Sequence, residues 1–185
     1  PLGDIGNVTT SVSNGQEIKG GLNFTWDDLK QLAALGIFEP LLHNIREHEC
    51  STAGCATRTF NGNQYDAFNY KGGHRVGKTS LLPKPLTQYT IAEVHQYWQR
   101  QPAVNGHSML ATGAYQIIPK TMKSMISKVK GLNTANLFNK ENQDAMGIYL
   151  VTMKRQNLGK YLFGDNISGA TAGNDLAFEF ASIRL

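Results

Sequence analysis

The side chains of this 185-residue sequence best set for chemistry are two carboxylates and a close pair of cysteines. Glu49 closes an amphipathic stretch that begins at Leu41, and Cys50-Ser51-Thr52-Ala53-Gly54 after it reads as loop. A carboxyl at such a helix end can project into a cleft between helical and β-rich parts of the chain. Partial burial there disfavours the charged form and raises the pKa, as a general acid near neutral pH requires. Spacing alone does not separate Glu49 from Glu47 or Glu93. Asp66 is the one acidic residue between Glu49 and the end of the β-rich stretch, and it is the candidate second carboxylate. Its Tyr-Asp turn setting also suits capping of nearby backbone. Cys50 and Cys55 fit a reduced pair or a short-loop disulfide, and a disulfide would fix the loop behind Glu49. As a nucleophile, Cys50 has only His48 close by. His43, His48 and His74 lack zinc-finger spacing, and no His-Glu-x-x-His helix occurs, so neither a metal nor another cofactor is expected.

The elements that would position these groups are mostly helices. Thr25-Trp26-Asp27-Asp28 is a capping-box start, with Leu29, Leu32, Ala33 and Leu35 as its buried stripe and Gly36 as its stop. Pro40 opens a second helix that buries Leu41, Leu42 and Ile45 and runs out near Glu49. Residues 56–80 mix Thr, Phe and Tyr with Asn-Gly and Gly-Gly, which predicts a short hairpin or meander. Thr90-Ile91-Ala92-Glu93 caps a helix through about Gln101, and residues 105–113 read as loop. Pro119 starts another helix, with Met122, Met125, Ile126 and Val129 on one face. Asn139 caps the longest helix, about 140–156, striped by Ala145, Met146, Tyr149, Leu150 and Met153. A last amphipathic segment runs from about Asn174 to the end. Trp26 and Trp98 read as core. The expected class is α+β, mostly α-helical, with a small β-hairpin insert after the second helix.

Length and composition suit one domain with a real core: 41% of residues are hydrophobic and 17% charged. Residues 1–21, rich in Gly, Ser, Thr and Asn, read as a flexible arm, with Pro1-Leu2-Gly3 as the remnant of a cleaved tag. The domain proper is 22–185. No apolar run approaches the ~20 residues of a membrane span, and the start lacks a secretion-signal pattern. The formal charge of +4 suits an anionic partner such as cell wall, membrane surface or nucleic acid. The basic residues are scattered, so a nucleic-acid face is not expected.

Several segments, in order along the chain, resemble phage lysozyme-like and lytic transglycosylase enzymes. Ala111-Thr112-Gly113-Ala114-Tyr115-Gln116-Ile117-Ile118-Pro119 is similar to the Gly-x-Tyr-Gln-Ile/Phe-Ile-Pro segment of soluble lytic transglycosylases. Tyr65-Asp66-Ala67-Phe68-Asn69-Tyr70, with Gly72 and Gly73, resembles the glycine hairpin of phage muramidases. Thr90-Ile91-Ala92-Glu93-Val94 matches the helix start that follows that hairpin. Leu137-Phe138-Asn139-Lys140-Glu141-Asn142-Gln143-Asp144 resembles the family's Leu-Phe-x-x-Glu-x-Gln-Asp. Leu41 to Glu49 lines up with the helix ending in the catalytic Glu of lambda-type endolysins. Two departures stand out: Ala114 replaces a larger or basic residue, and Ala181-Ser182-Ile183-Arg184-Leu185 stops where lambda-type enzymes continue.

The resemblance implies a lysozyme-like fold and cleavage of the bond between N-acetylmuramic acid and N-acetylglucosamine in peptidoglycan. Glu49 would be the catalytic acid. A hydrolase of this kind needs a second carboxylate, for which Asp66 is the candidate; a lytic transglycosylase needs only the Glu. The single-Glu mechanism is the favoured one. Tyr115 and Gln116 would position sugar through a flat apolar face, a hydroxyl and an amide. Asn69, Tyr70 and Tyr149 are further substrate-binding candidates. The partner implied is the peptidoglycan glycan strand, met by a monomer with no nucleic acid and no stable membrane insertion. The setting implied is a virion or the host periplasm, during phage lysis or wall penetration. The rival readings are a murein endopeptidase cutting stem-peptide crosslinks and a non-catalytic wall-binding virion protein of the same fold.

Overall fold

Thr25 begins the first helix by reciprocal capping: its side chain accepts from Asp28 N–H while Asp28 accepts from the Thr25 N–H. A computed structural model describes residues 22–50, 63–70, 74–75, 82–99 and 108–183; the expected arm over 1–21 lies outside them. Helix α1 spans Trp26–Ala34 and buries Trp26, Leu29 and Leu32. Leu35, expected in that stripe, is exposed, because α1 ends before it. Helix α2 spans Glu39–Glu49 with Pro40 in its first turn, and it buries Leu42, Ile45 and Arg46.

The β insert follows as expected. Strand β1 (Phe68–Tyr70) pairs antiparallel with β2 (His74–Arg75), Tyr70 opposite His74. The stretch read as loop holds a third strand, β3 (Met109–Thr112), on the free edge of β1, giving the order β2-β1-β3. No local pattern marks β3. Its identity as a strand comes from long-range pairing, which sequence periodicity does not report.

The remaining chain is helical. Helix α3 (Ile91–Gln99) starts with the expected Thr90–Glu93 reciprocal cap. Helix α4 (Pro119–Lys128) buries Met122 and Met125. Helix α5 (Lys140–Tyr149) is capped by Asn139, whose side chain accepts from Asn142 N–H, and it packs most extensively against α1. The expected continuous helix to residue 156 is interrupted by a π-helical turn, Leu150–Lys154, before α6 (Gln156–Leu162). Thr152 lies inside that turn and donates to the Ile148 carbonyl, 2.6 Å away, a side-chain bond of the kind that bends helices. The last helix, α7 (Gly169–Glu179), starts earlier than expected because Ser168 caps it, and a turn over Phe180–Ile183 follows. The architecture is thus mostly α, with one small antiparallel sheet. One buried cluster runs through it, from Phe24 and Trp26 to Phe180 and Ile183, and includes Trp98. No helix among the described residues is long and apolar enough to cross a membrane.

The turn between β3 and α4 depends on Gly113. Its φ is +78°, and a Cβ there would sit 2.3 Å from Gln143 Oε1 and 2.8 Å from Phe138 Cε1. Both neighbours are fully buried. Gly113→Ala is expected to cost about 2–4 kcal/mol in urea unfolding. An unchanged midpoint would mean that the turn relaxes without strain.

Candidate active site

Helix α2 presents its last two acidic residues in different directions. Glu47 accepts from Gln64 Nε2 at 2.5 Å, and the same amide donates to the Cys50 carbonyl at 2.9 Å, which ties the end of α2 to the turn before β1. Glu49 instead faces a cleft of about 340 Å³. The cleft walls come from β1 (Asn69), β3 (Ala111), the β3–α4 turn (Gln116, Ile117), the π-helical turn and its exit (Lys154, Arg155) and the chain around Phe178 to Ser182. The C-terminal end of a helix carries a partial negative charge, so a carboxyl there already meets an unfavourable potential.

Burial is the chief cause that pushes the Glu49 carboxyl above its ordinary range. The Ser182 hydroxyl and nearby His48 pull the other way, and the charge of Glu179 adds to the rise. Ser182 Oγ donates to Glu49 Oε1 at 2.5 Å. His48 Nδ1 donates to the Asn44 carbonyl one turn back, at 2.8 Å. Glu179, three residues before Ser182, is fixed by Lys154 Nζ at 2.5 Å and Arg155 Nε at 2.7 Å. Phe178 is 77% exposed on the cleft rim, with the Arg155 guanidinium 4.4 Å from its ring centre.

Gln116 and Asn69 come together in the cleft: Asn69 Nδ2 donates to Gln116 Oε1 at 2.8 Å, and Gln116 Nε2 to the Gly113 carbonyl at 2.9 Å. Gln116 has φ +49°, the one positive value outside glycine among the described residues. Such strain persists where surroundings impose it and clusters at functional sites. Asn69 Nδ2, Gln116 Oε1 and Gln116 Nε2 each keep one hydrogen-bonding position beyond these contacts.

Other candidates lie elsewhere. Asp66 is 5% exposed and accepts from the Thr87 N–H at 3.0 Å, outside the cleft lining. It ties a loop rather than facing Glu49, so the second-carboxylate expectation gives way to a backbone-capping role. Tyr115 borders the cleft but is 2% exposed; its hydroxyl donates to Asp144 Oδ1 at 2.7 Å and accepts from Arg46 Nη1 at 3.0 Å. It is a wall whose polar end points inward, not a sugar ligand. Burial, then the charge of Asp144, holds its phenol far above the usual range. Tyr149 is buried core, away from the cleft lining. Tyr70 is placed by its backbone in β1, and its side chain lies outside the described ones. Cys50 is disulfide-bonded; Cys55, the only other cysteine in the sequence, lies outside the described residues.

Sequence reasoning missed the residues that hold the site: Arg46, Asp144, Glu179 and Ser182. Gln143 and Asp144 stand within the Leu-Phe-x-x-Glu-x-Gln-Asp segment, and that motif was their only signal. A larger hollow of about 600 Å³ lies between α1 and α5, where Asp27 pairs with Lys30 and Lys140 with Asp144. No acid there is placed as Glu49 is. Among the described residues, no three His, Cys, Asp or Glu side chains are grouped to hold a metal ion. Comparison with protein-family models, curated proteins and solved structures returned no match.

Because its pKa is raised by folding, Glu49 keeps its proton in the folded state to higher pH than in the unfolded chain. Its contribution to stability therefore falls as pH rises from the ordinary carboxylate range through the folded value. Glu49→Gln, neutral throughout, is expected to melt above the wild type at about pH 7–8 and level with it near about pH 3. A wild type that melts higher at neutral pH would contradict the raised pKa.

Proposed function

We propose that this protein cleaves the bond between N-acetylmuramic acid and N-acetylglucosamine in peptidoglycan, as a lytic transglycosylase of lysozyme-like fold. The observation that carries the reading is the Glu49 carboxyl, part-buried at a helix end in a cleft with its pKa raised. Cleavage needs a proton delivered to the glycosidic oxygen as the C1–O bond breaks, and a carboxyl protonated near neutral pH supplies it. The substrate's own 6-hydroxyl then attacks C1, and the Glu49 carboxylate takes the hydroxyl proton. The 1,6-anhydro ring closes, no water is consumed and Glu49 ends protonated, ready for another cycle.

Two features favour this route over hydrolysis. Asp66 lies outside the cleft lining, and the one other carboxylate there among the described residues, Glu179, is bound on both oxygens by cations. Neither is free to activate water or to stabilise a glycosyl cation directly, as the second group of a two-carboxylate hydrolase must. Asn69 and Gln116 supply amide groups suited to N-acetyl and hydroxyl groups, and Phe178 supplies an exposed apolar ring at the rim. The net charge of +4 suits an anionic wall polymer. The phage character of the resembling motifs points to a monomeric enzyme that meets glycan strands from a virion or in the host periplasm, during lysis or wall penetration.

Dye release from labelled murein sacculi tests the reading. Glu49→Gln is expected to lower the rate by about a hundred- to ten-thousandfold. Release at the wild-type rate would remove Glu49 as the acid. With solubilised glycan strands, Phe178→Ala is expected to raise KM about five- to tenfold and leave kcat nearly unchanged, as lost uniform binding does. An unchanged KM would place the sugar elsewhere.

A further inference from the structure

The end of α7 is tied to the π-helical turn and its exit by Glu179, whose side chain is only 7% exposed and takes both Lys154 Nζ and Arg155 Nε. These cations are adjacent in sequence, at the point where the π-helical turn gives way to α6. Such turns are rare and often stand at functional sites. A buried carboxylate bridged by two cations on a rigid segment fixes position far better than an exposed pair does. Three residues further on, Ser182 reaches the Glu49 carboxyl. The chain separation between them is 133 residues, so nothing local to α2 brings this hydroxyl to the acid.

We infer that Glu179 and Ser182 are positioning residues for Glu49: the Lys154–Glu179–Arg155 clamp seats the end of α7 so that the Ser182 hydroxyl orients the acid. The inference rests on the proposed role of Glu49 and assigns the cleft's second carboxylate to a task other than direct catalysis. The hydroxyl donates to Oε1 while Glu49 is ionised and can accept from it when Glu49 is protonated, so one partner steadies both states of a group that must gain and lose a proton. The two residues act on the ionisation of Glu49 in opposite senses. The Ser182 hydrogen bond favours the carboxylate, whereas the negative charge of Glu179 disfavours it. The titratable and charged groups described around the acid are His48 on its own helix, Lys154 and Arg155 on the π-helical turn and its exit, and Glu179 on α7.

The test is a carbon-detected NMR titration of the Glu49 side-chain carboxyl in wild type, Ser182→Ala, Ser182→Thr and Glu179→Gln, run beside murein cleavage as a function of pH. Ser182→Ala is expected to move the Glu49 midpoint up and Ser182→Thr to restore the wild-type value; Glu179→Gln, by releasing Ser182, is expected to move it up as well, because the pull of the hydroxyl outweighs the Glu179 charge. The alkaline limb of cleavage should move in the same directions, with kcat lowered about tenfold in the alanine variant through loss of orientation. A midpoint raised by removing a negative charge is a signature of the lost hydroxyl that the charge itself cannot produce, and a midpoint lowered in Glu179→Gln would overturn the clamp. If Glu179→Gln does not fold, Ser182→Ala against Ser182→Thr carries the test alone. Midpoints unchanged in all folded variants would overturn the inference, even if cleavage still depended on Glu49. Displaced midpoints in a protein that leaves murein intact would instead overturn the proposed function and keep the positioning relay.

Discussion

Asp144 is the buried anion that joins the segments around the Glu49 cleft. Its Oδ1 accepts from the hydroxyls of Tyr65 at 2.8 Å and Tyr115 at 2.7 Å, and its Oδ2 from Lys140 Nζ at 2.7 Å. Arg46, 5% exposed, lies 3.6 Å from the same carboxylate and also donates to Tyr115 and Glu39. These side chains come from α2, the turn before β1, the β3–α4 turn and α5. A carboxylate left unpaired in such a place would be strongly destabilising, so the four segments are held together or not at all. Burial, with the charge of Asp144, pushes the Tyr65 phenol up to about 12, which keeps it a hydrogen-bond donor throughout the physiological range. Arg46 is one helical turn from Glu49 on α2. Fixing its guanidinium on Asp144 therefore fixes the rotation of the helix that carries the acid.

Close packing makes the same junction intolerant of change. Gln143, fully buried beside Asp144, accepts from the Ala114 N–H and donates to the carbonyls of Tyr65 and Phe138. Gly147 lies where a Cβ would come 2.8 Å from the Tyr115 ring, so α5 can approach the Tyr-Gln turn only without a side chain there. Gln116, at φ +49° in this turn, meets Asn69 on the cleft wall through its amide.

What the sequence made legible follows from the range of the interactions involved. The capping boxes at Thr25 and Thr90, the start at Pro119 and the cap at Asn139 are written within four residues, and each appears as read. Glu49 at a helix end and Asn69 and Gln116 in one cleft were reachable through motif resemblance. Strand β3, the π-helical turn and the early start of α7 were not, because each depends on partners far along the chain or on a side-chain bond inside a helix. Tyr115 shows the limit most clearly. Its residue type suits a sugar ligand, but its hydroxyl is taken by Arg46 and Asp144, from two distant helices. Asp66 fails as a second carboxylate for a related reason: its partner, the Thr87 N–H, comes from a segment with no motif pointing to it.

Among the described residues, the cleft holds one carboxyl met by a hydroxyl, Glu49, and one doubly bridged carboxylate, Glu179, the arrangement on which the proposed transglycosylase chemistry rests. The most direct measurement is therefore mass spectrometry of the glycan ends released from purified Gram-negative murein. Fragments ending in 1,6-anhydro-N-acetylmuramic acid would be the product of intramolecular attack by the 6-hydroxyl, the outcome expected here. Reducing ends one water heavier would contradict it and require a water-activating base in the cleft, and uncut glycan strands with severed peptides would contradict glycosidic cleavage altogether.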